Sequence, residues 1–481
     1  MRNLKRALSL ALAAIMLIGM MVVSASAVSY NDLTDKDQIV NKDAVSMLVS
    51  LGIIEGKPDG SYAPTENVDR AQMAKMLSVI MNKGVDNSAL YQSVNSGLTD
   101  ITSHWAKGHI NYCYTTGIIA GRGNGKFDPS ATVTALEAAK MLLVAVGYDP
   151  AIEGFEGADW AINVSVRADE QGIFEGFTKD LSAPLNRDDA ALLIYNALDV
   201  EMIQSYTTNN YPIAYSDHRT ILADKYGVIK VQGVVVANEW ASLASDDGDA
   251  ALKEGKTTIY NGEGIFSTTG NTTVSKEDAS LKTQTFNVST PVDMLGKTVN
   301  LYIKKTTILA DSTVYGDPVV SDVNTVVTTG ETVLYSGAKD PQVDYDKLLG
   351  ENGLTDKDAK YFWNYNSGKY IPNTTEKYGD KTANVKGATL TIIDNNGDGE
   401  VDYVLSVEKA LADIPSVNSK KETVTVRTLG TLDNKDVVGY EDMAKEDVVL
   451  YVQYGGRTYL EKPEVVTGEM EHFNVKGTEK Y

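Results

Sequence analysis

Apolar residues in the first two hundred positions return at helical spacing. Met73, Met76, Leu77 and Ile80 stand at i, i+3, i+4 and i+7, one face of a helix. Ala135, Ala139, Leu142 and Val146 repeat the arrangement, and Ala190, Leu193, Ile194 and Ala197 repeat it again. A further helix is expected before each, over 39–51, 105–116 and 159–171. Gly52, Gly117 and Gly172 close these helices, where a left-handed C-cap suits glycine. Lys57-Pro58-Asp59-Gly60 and Gly123-Asn124-Gly125 are turn signals between the two helices of a unit. Beyond Ser205 the period shortens to two. Thr298, Asn300, Tyr302 and Lys304 alternate with Val299, Leu301 and Ile303. A strand pair is expected over 227–237 and a hairpin over 389–407 around Asn395-Asn396-Gly397-Asp398-Gly399. Two more strands should flank Gly455-Gly456, and short helices should intrude near 241–255 and 344–349.

The helical part is an internal repeat. Gly52-Ile53-Ile54-Glu55-Gly56 precedes Val68-Asp69-Arg70-Ala71-Gln72, and Gly117-Ile118-Ile119-Ala120-Gly121 precedes Val133-Thr134-Ala135-Leu136-Glu137. Gly172-Ile173-Phe174-Glu175-Gly176 precedes Leu185-Asn186-Arg187-Asp188-Asp189. One such unit buries too little surface to be stable alone, so the three should pack together. The expected division is a leader over 1–27, repeats over 28–92, 93–152 and 153–205, and β-rich domains over 206–337 and 338–481. The boundary between the last two is placed near 336–340.

The leader reading rests on Arg2, Lys5 and Arg6, an apolar run over 7–23 broken only by Ser9 and Gly19, and the small residues Ala25-Ser26-Ala27. This is the pattern of a cleaved secretory signal peptide, and the apolar run is shorter than the ~20 residues of a membrane span. No cysteine stands directly after the cleavage site, and the C-terminus carries no sorting motif, so any retention at the surface is expected to be non-covalent. The formal net charge is −21, and loss of the three leader cations takes it to about −24. A chain of that charge repels nucleic acid and anionic membranes, so neither is an expected partner once the leader is removed. The single cysteine, Cys113, excludes an internal disulfide and reads as a small core residue.

The repeated blocks, with His104-Trp105-Ala106, Tyr62-Ala63-Pro64 and Phe127-Asp128-Pro129, resemble the S-layer homology family over residues 30–203. The resemblance implies an all-α pseudo-threefold bundle, followed here by a β-rich, sandwich-like region. It also implies secretion, a place at the bacterial cell wall, and binding of secondary cell wall polymer bearing pyruvylated sugars in grooves between repeats. Self-association into a surface lattice belongs to the same picture. Residues at the family's motif positions, Asp69, Arg70, Gln72, Glu137 and Arg187, become candidate polymer contacts, with Trp105 beside them. The chemistry is sensible, because a pyruvyl ketal presents a carboxylate and arginine at a helix start holds one well. Ordinary ion pairs of Arg70 with Asp69 and of Arg187 with Asp188 are the competing reading, and for Trp105 it is a core anchor of its helix. Ala135 stands where the second repeat would carry the arginine, so one or two working grooves are expected rather than three.

Asp394, Asn396, Asp398 and Asp402 fall at positions 1, 3, 5 and 9 of an EF-hand-like pattern with Gly399 at position 6, which makes Ca2+ a candidate ligand. Leu405 replaces the bidentate acid at position 12, and strand-like flanks leave a plain Asn/Asp/Gly hairpin turn as the equal alternative. The four histidines and the acidic pairs form no recognisable catalytic motif, so a non-enzymatic surface protein is expected. An anchored enzyme or glycan-binding protein acting on polysaccharide is the alternative.

Overall fold

A computed structural model describes residues 30–243, 251–262, 282–304, 309–329, 342–343, 345–367, 383–384 and 388–464. The leader, the boundary at 336–340 and residues 244–250 lie outside them. The chain forms two compact units. One comprises Met1–Gly233, Tyr260–Val288 and Val299–Val319, the other Val234–Ile259, Ser289–Thr298 and Val320–Tyr481. Helices dominate the N-terminal region and sheets the C-terminal region. Among the described residues no helix is long and apolar enough to cross a membrane.

In the first unit six helices follow the repeats: α1 (Lys42–Ser50), α2 (Arg70–Met81), α3 (Lys107–Thr115), α4 (Ala135–Val146), α5 (Trp160–Glu170) and α6 (Arg187–Leu198). The second helix of each repeat, α2, α4 and α6, is capped by its own side chain. Asp69 accepts from Gln72 N at 2.7 Å, Asn186 from Asp189 N at 2.8 Å, and Thr134 completes a reciprocal capping box with Glu137. Gly52, Gly117 and Gly172 all take positive φ, as the C-cap requires. Met73, Leu77 and Ile80 are fully buried, as are Ala139, Leu142 and Val146 of α4 and Leu193, Ile194 and Ala197 of α6. One hydrophobic core joins all three repeats.

The segments just before α2, α4 and α6 bind each other in a closed ring. Val68 N donates to Leu185 O at 2.8 Å, Leu185 N to Val133 O at 2.7 Å, and Val133 N to Val68 O at 2.9 Å. Each repeat therefore satisfies the backbone of another, and none can complete these bonds alone. Tyr302 joins this core from a later strand, its hydroxyl taking a hydrogen bond from Tyr195 Oη at 2.9 Å. Cys113 is buried, and burial pushes its thiol pKa up.

In the second unit Ala388–Asp394 pairs antiparallel with both Tyr403–Glu408 and Thr325–Thr329, and Lys360–Trp363 runs parallel to Tyr403–Glu408. The expected hairpin over 389–407 is present, and α7 (Tyr345–Glu351) packs Tyr345 and Leu349 against Leu390 and Ile392. Val448–Tyr454 and Arg457–Glu461 flank the glycine turn, as expected. Two expectations fail. Residues 227–237 form one long strand, Val228–Asn238, which runs straight through Gln232-Gly233 without a turn. The described part of 241–255 contains no helix.

Candidate groove site

Arg70 and Arg187 open α2 and α6, and each reaches from its own repeat onto the loop of another. Arg187 Nε donates to Tyr62 O at 2.7 Å and Nη2 to Glu55 O at 3.3 Å, with the guanidinium 4.8 Å from the Tyr62 ring centroid. Arg70 Nε donates to Phe127 O at 2.9 Å and Nη2 to Ala120 O at 2.8 Å, 4.4 Å from the Phe127 ring centroid. The two arrangements match atom for atom. Carbonyl oxygens and a ring face are the partners, and the ion pairs with Asp69 and Asp188 of the competing reading do not form. Asp69 caps its helix and Asp188 accepts from Asn41 N at 3.2 Å. Among the described residues Nη1 of neither arginine has a hydrogen-bond partner. Arg70 is buried, and burial, followed by the Arg122 charge, lowers its pKa to about 10.

An aspartate shapes each loop that receives an arginine. Asp35 accepts from Tyr62 N at 2.7 Å and Ala63 N at 2.8 Å, and Asp100 accepts from Phe127 N at 3.0 Å and Asp128 N at 2.8 Å. Ala63 and Asp128 sit at positive φ, a conformation that those aspartates help to hold. Asp35 and Asp100 lie seventeen positions before Gly52 and Gly117, a spacing visible in the sequence; the third repeat has Phe155 there.

Two clefts result. The first, about 290 Å³, is lined by Gly56, Lys57, Gln72, Lys75, Trp105 and Arg187, among others. The second, about 370 Å³, is lined by Arg70, Arg122, Glu137, Lys140 and Trp160, among others. Gly56 and Gly121, Gln72 and Glu137, Lys75 and Lys140, and Trp105 and Trp160 hold equivalent places. Trp105 is 56 % exposed, so its reading as a core anchor is wrong: Ala106, next to it, is the buried residue. The structure thus gathers Gln72, Trp105 and Arg187 in one cleft and Arg70 and Glu137 in the other, while Asp69 acts as a cap. Sequence reasoning missed Trp160, although Trp105 and Trp160 both stand twelve positions before the repeat glycine. Lys75 and Lys140, one turn beyond the motif, were missed as well.

The acidic hairpin loop is bonded to itself. Asp394 is buried; its Oδ1 accepts from Asn396 N at 3.1 Å and Gly397 N at 2.8 Å, and its Oδ2 from Gly399 N at 2.9 Å. Asn396 Oδ1 accepts from Asp398 N, Asp398 Oδ1 from Glu400 N and Asp402 Oδ2 from Asn395 N. Burial raises the Asp402 pKa, opposed by the Asn395 N–H.

A family model described as S-layer homology domain matches residues 29–74 and 97–139. The chain is 28% identical over 273 residues to a cell surface protein of Thermoanaerobacter kivui, covering 56% of this chain and 32% of that one. It is 27% identical over 206 residues to the middle cell wall protein of Brevibacillus brevis, covering 43% of this chain and 18% of that one. It is also 28% identical over 192 residues to Exoglucanase XynX of Acetivibrio thermocellus, 37% of this chain and 17% of the enzyme. The chain therefore spans a third or less of the length of these relatives.

Proposed function

Taking as premise that this chain is a cell-surface protein with S-layer homology domains, located at the cell wall, we propose that its two clefts hold the protein on secondary cell wall polymer by gripping pyruvyl ketal carboxylates. Surface anchoring is supported by the family match and the wall-protein relatives. The observation that carries the finer reading is the duplicate construction of the clefts: an arginine fixed on a neighbouring loop, a lysine one turn along, and a tryptophan at the rim. We read the ring of backbone bonds among Val68, Leu185 and Val133 as the axis of a pseudo-threefold bundle, with grooves at the repeat boundaries.

The chemistry follows from the residues. Nε and Nη2 of Arg187 are held by carbonyls, so the guanidinium is immobilised before a ligand arrives, and Nη1 is left for the ligand. Lys75 adds a second cation and Trp105 a flat apolar face for a sugar ring. Ala135 and Asp189 leave the third boundary without this arrangement.

Residues 206–481 we read as a structural or interaction region taking part in self-association, rather than a catalytic one. The 273-residue likeness to a surface protein is longer than the helical repeats can supply, which supports this over the anchored-enzyme alternative.

Calorimetry of the full chain with purified pyruvylated polymer and with chemically depyruvylated polymer tests the anchor. Arg187→Ala should weaken binding by about 1.5–3 kcal/mol, roughly ten- to a hundredfold, with helicity retained. Equal affinity for the two polymers would overturn the carboxylate grip.

A further inference from the structure

The two clefts share a plan but differ in charge. In the second, Glu137 faces Arg122 at 2.6 Å, and Lys140 Nζ is turned to Phe155 O at 2.6 Å. Arg70 is only 4% exposed. Two cations of this cleft, Arg122 and Lys140, are thus already answered by groups of the protein. Any ligand carboxylate entering it meets the Glu137 carboxylate, whose like charge opposes it.

The first cleft is built otherwise. Neutral Gln72 replaces Glu137 at the N3 position of its helix. Its amide oxygen is buried with no hydrogen-bond partner among the described residues, an unmet acceptor of the kind that proteins seldom leave unpaired. Lys57, at the place of Arg122, pairs with Glu66, which does not line the cleft. Arg187 is half-buried rather than sealed, and Lys75 reaches Glu55, an exposed carboxylate at the lip of the same cleft and its ion-pair partner among the described residues, at a loose 3.5 Å.

We propose that the residue at this position, Gln72 in one cleft and Glu137 in the other, sets specificity: the first cleft takes the acidic sugar, and the second binds the same sugar at least tenfold more weakly. This rests on the carboxylate reading above. Glu137 acts as an internal carboxylate that occupies Arg122 in place of a ligand. Gln72 leaves the corresponding space uncharged, and its amide can both donate to and accept from sugar hydroxyls.

The test uses the full chain and a monosaccharide glycoside bearing one pyruvyl ketal, with the ketal-free glycoside as control, by isothermal titration calorimetry. One tight site per chain is expected for the wild type. Gln72→Glu should weaken it tenfold or more, and Glu137→Gln should raise the number of tight sites to two. Gln72→Glu installs the residue that α4 already carries at the equivalent place, so the variant should fold, and its melting curve is the control that checks this. Two equal sites in the wild type, or an affinity that Gln72→Glu changes less than twofold, would overturn the proposal. No preference for the ketal-bearing glycoside would instead overturn the anchoring chemistry itself, a result visible in the wild type before any variant is made.

Discussion

Single side chains do their work here through backbone groups. Asp394 is the strongest case: buried, and accepting from three loop N–H groups. Asp394→Ala strands those donors at the end of a strand. We expect the second unit to lose about 2–4 kcal/mol in chelator-containing buffer, measured by denaturant unfolding. Calcium at Asp394, Asn396, Asp398 and Asp402 is a separate proposal. It requires millimolar calcium to raise the wild-type melting temperature and Asp398→Ala to abolish the rise. A melting temperature indifferent to calcium assigns the loop to a self-bonded turn.

At the scale of elements, α3 carries a titratable group in an unusual place. His109 is buried, with Nδ1 2.6 Å from Ser78 Oγ and Nε2 3.6 Å from Asp86 Oδ2. Burial lowers its pKa, and the Asp86 charge only partly offsets that. The unfolded chain therefore binds the proton more readily than the folded one. Stability should be full above the unfolded value of about 6.5 and should fall as pH drops through it toward the depressed folded value. Helical melting at pH 7.5 and 5.5 checks this, and His109→Gln should flatten the dependence. The helices themselves were legible in advance, because apolar spacing, caps and the closing glycines all report local geometry. The clefts were only half legible. Arg70, Gln72, Glu137 and Arg187 stand in a recognisable block, but their partners are carbonyls and rings of another repeat, and a carbonyl has no sequence signature. Trp105 was misjudged for a related reason: on a helix start, one residue decides between core and rim, and the buried neighbour proved to be Ala106.

For the whole molecule, the separation of cores is the property with a thermodynamic consequence. The first unit is organised on a cluster running through the three repeats, and the second on clusters around Tyr345 and Leu390 and around Ile414 and Val449. Cores that share no residues have no reason to melt as one, and two-state behaviour is a property of single small domains. Differential scanning calorimetry should therefore resolve more than one transition. Both clefts lie on residues of the first unit. A ligand bound only to a folded unit stabilises that unit by RT ln(1 + [L]/Kd), about 2.7 kcal/mol at a hundredfold excess over Kd. Pyruvylated polymer at that excess should thus move only the transition assigned to the helical repeats, and Arg187→Ala should remove most of the displacement. Asp394→Ala should lower a different transition and leave the polymer-induced displacement intact. A single peak that shifts as a whole with polymer would show that the two units unfold together, and would refute the division drawn from their cores.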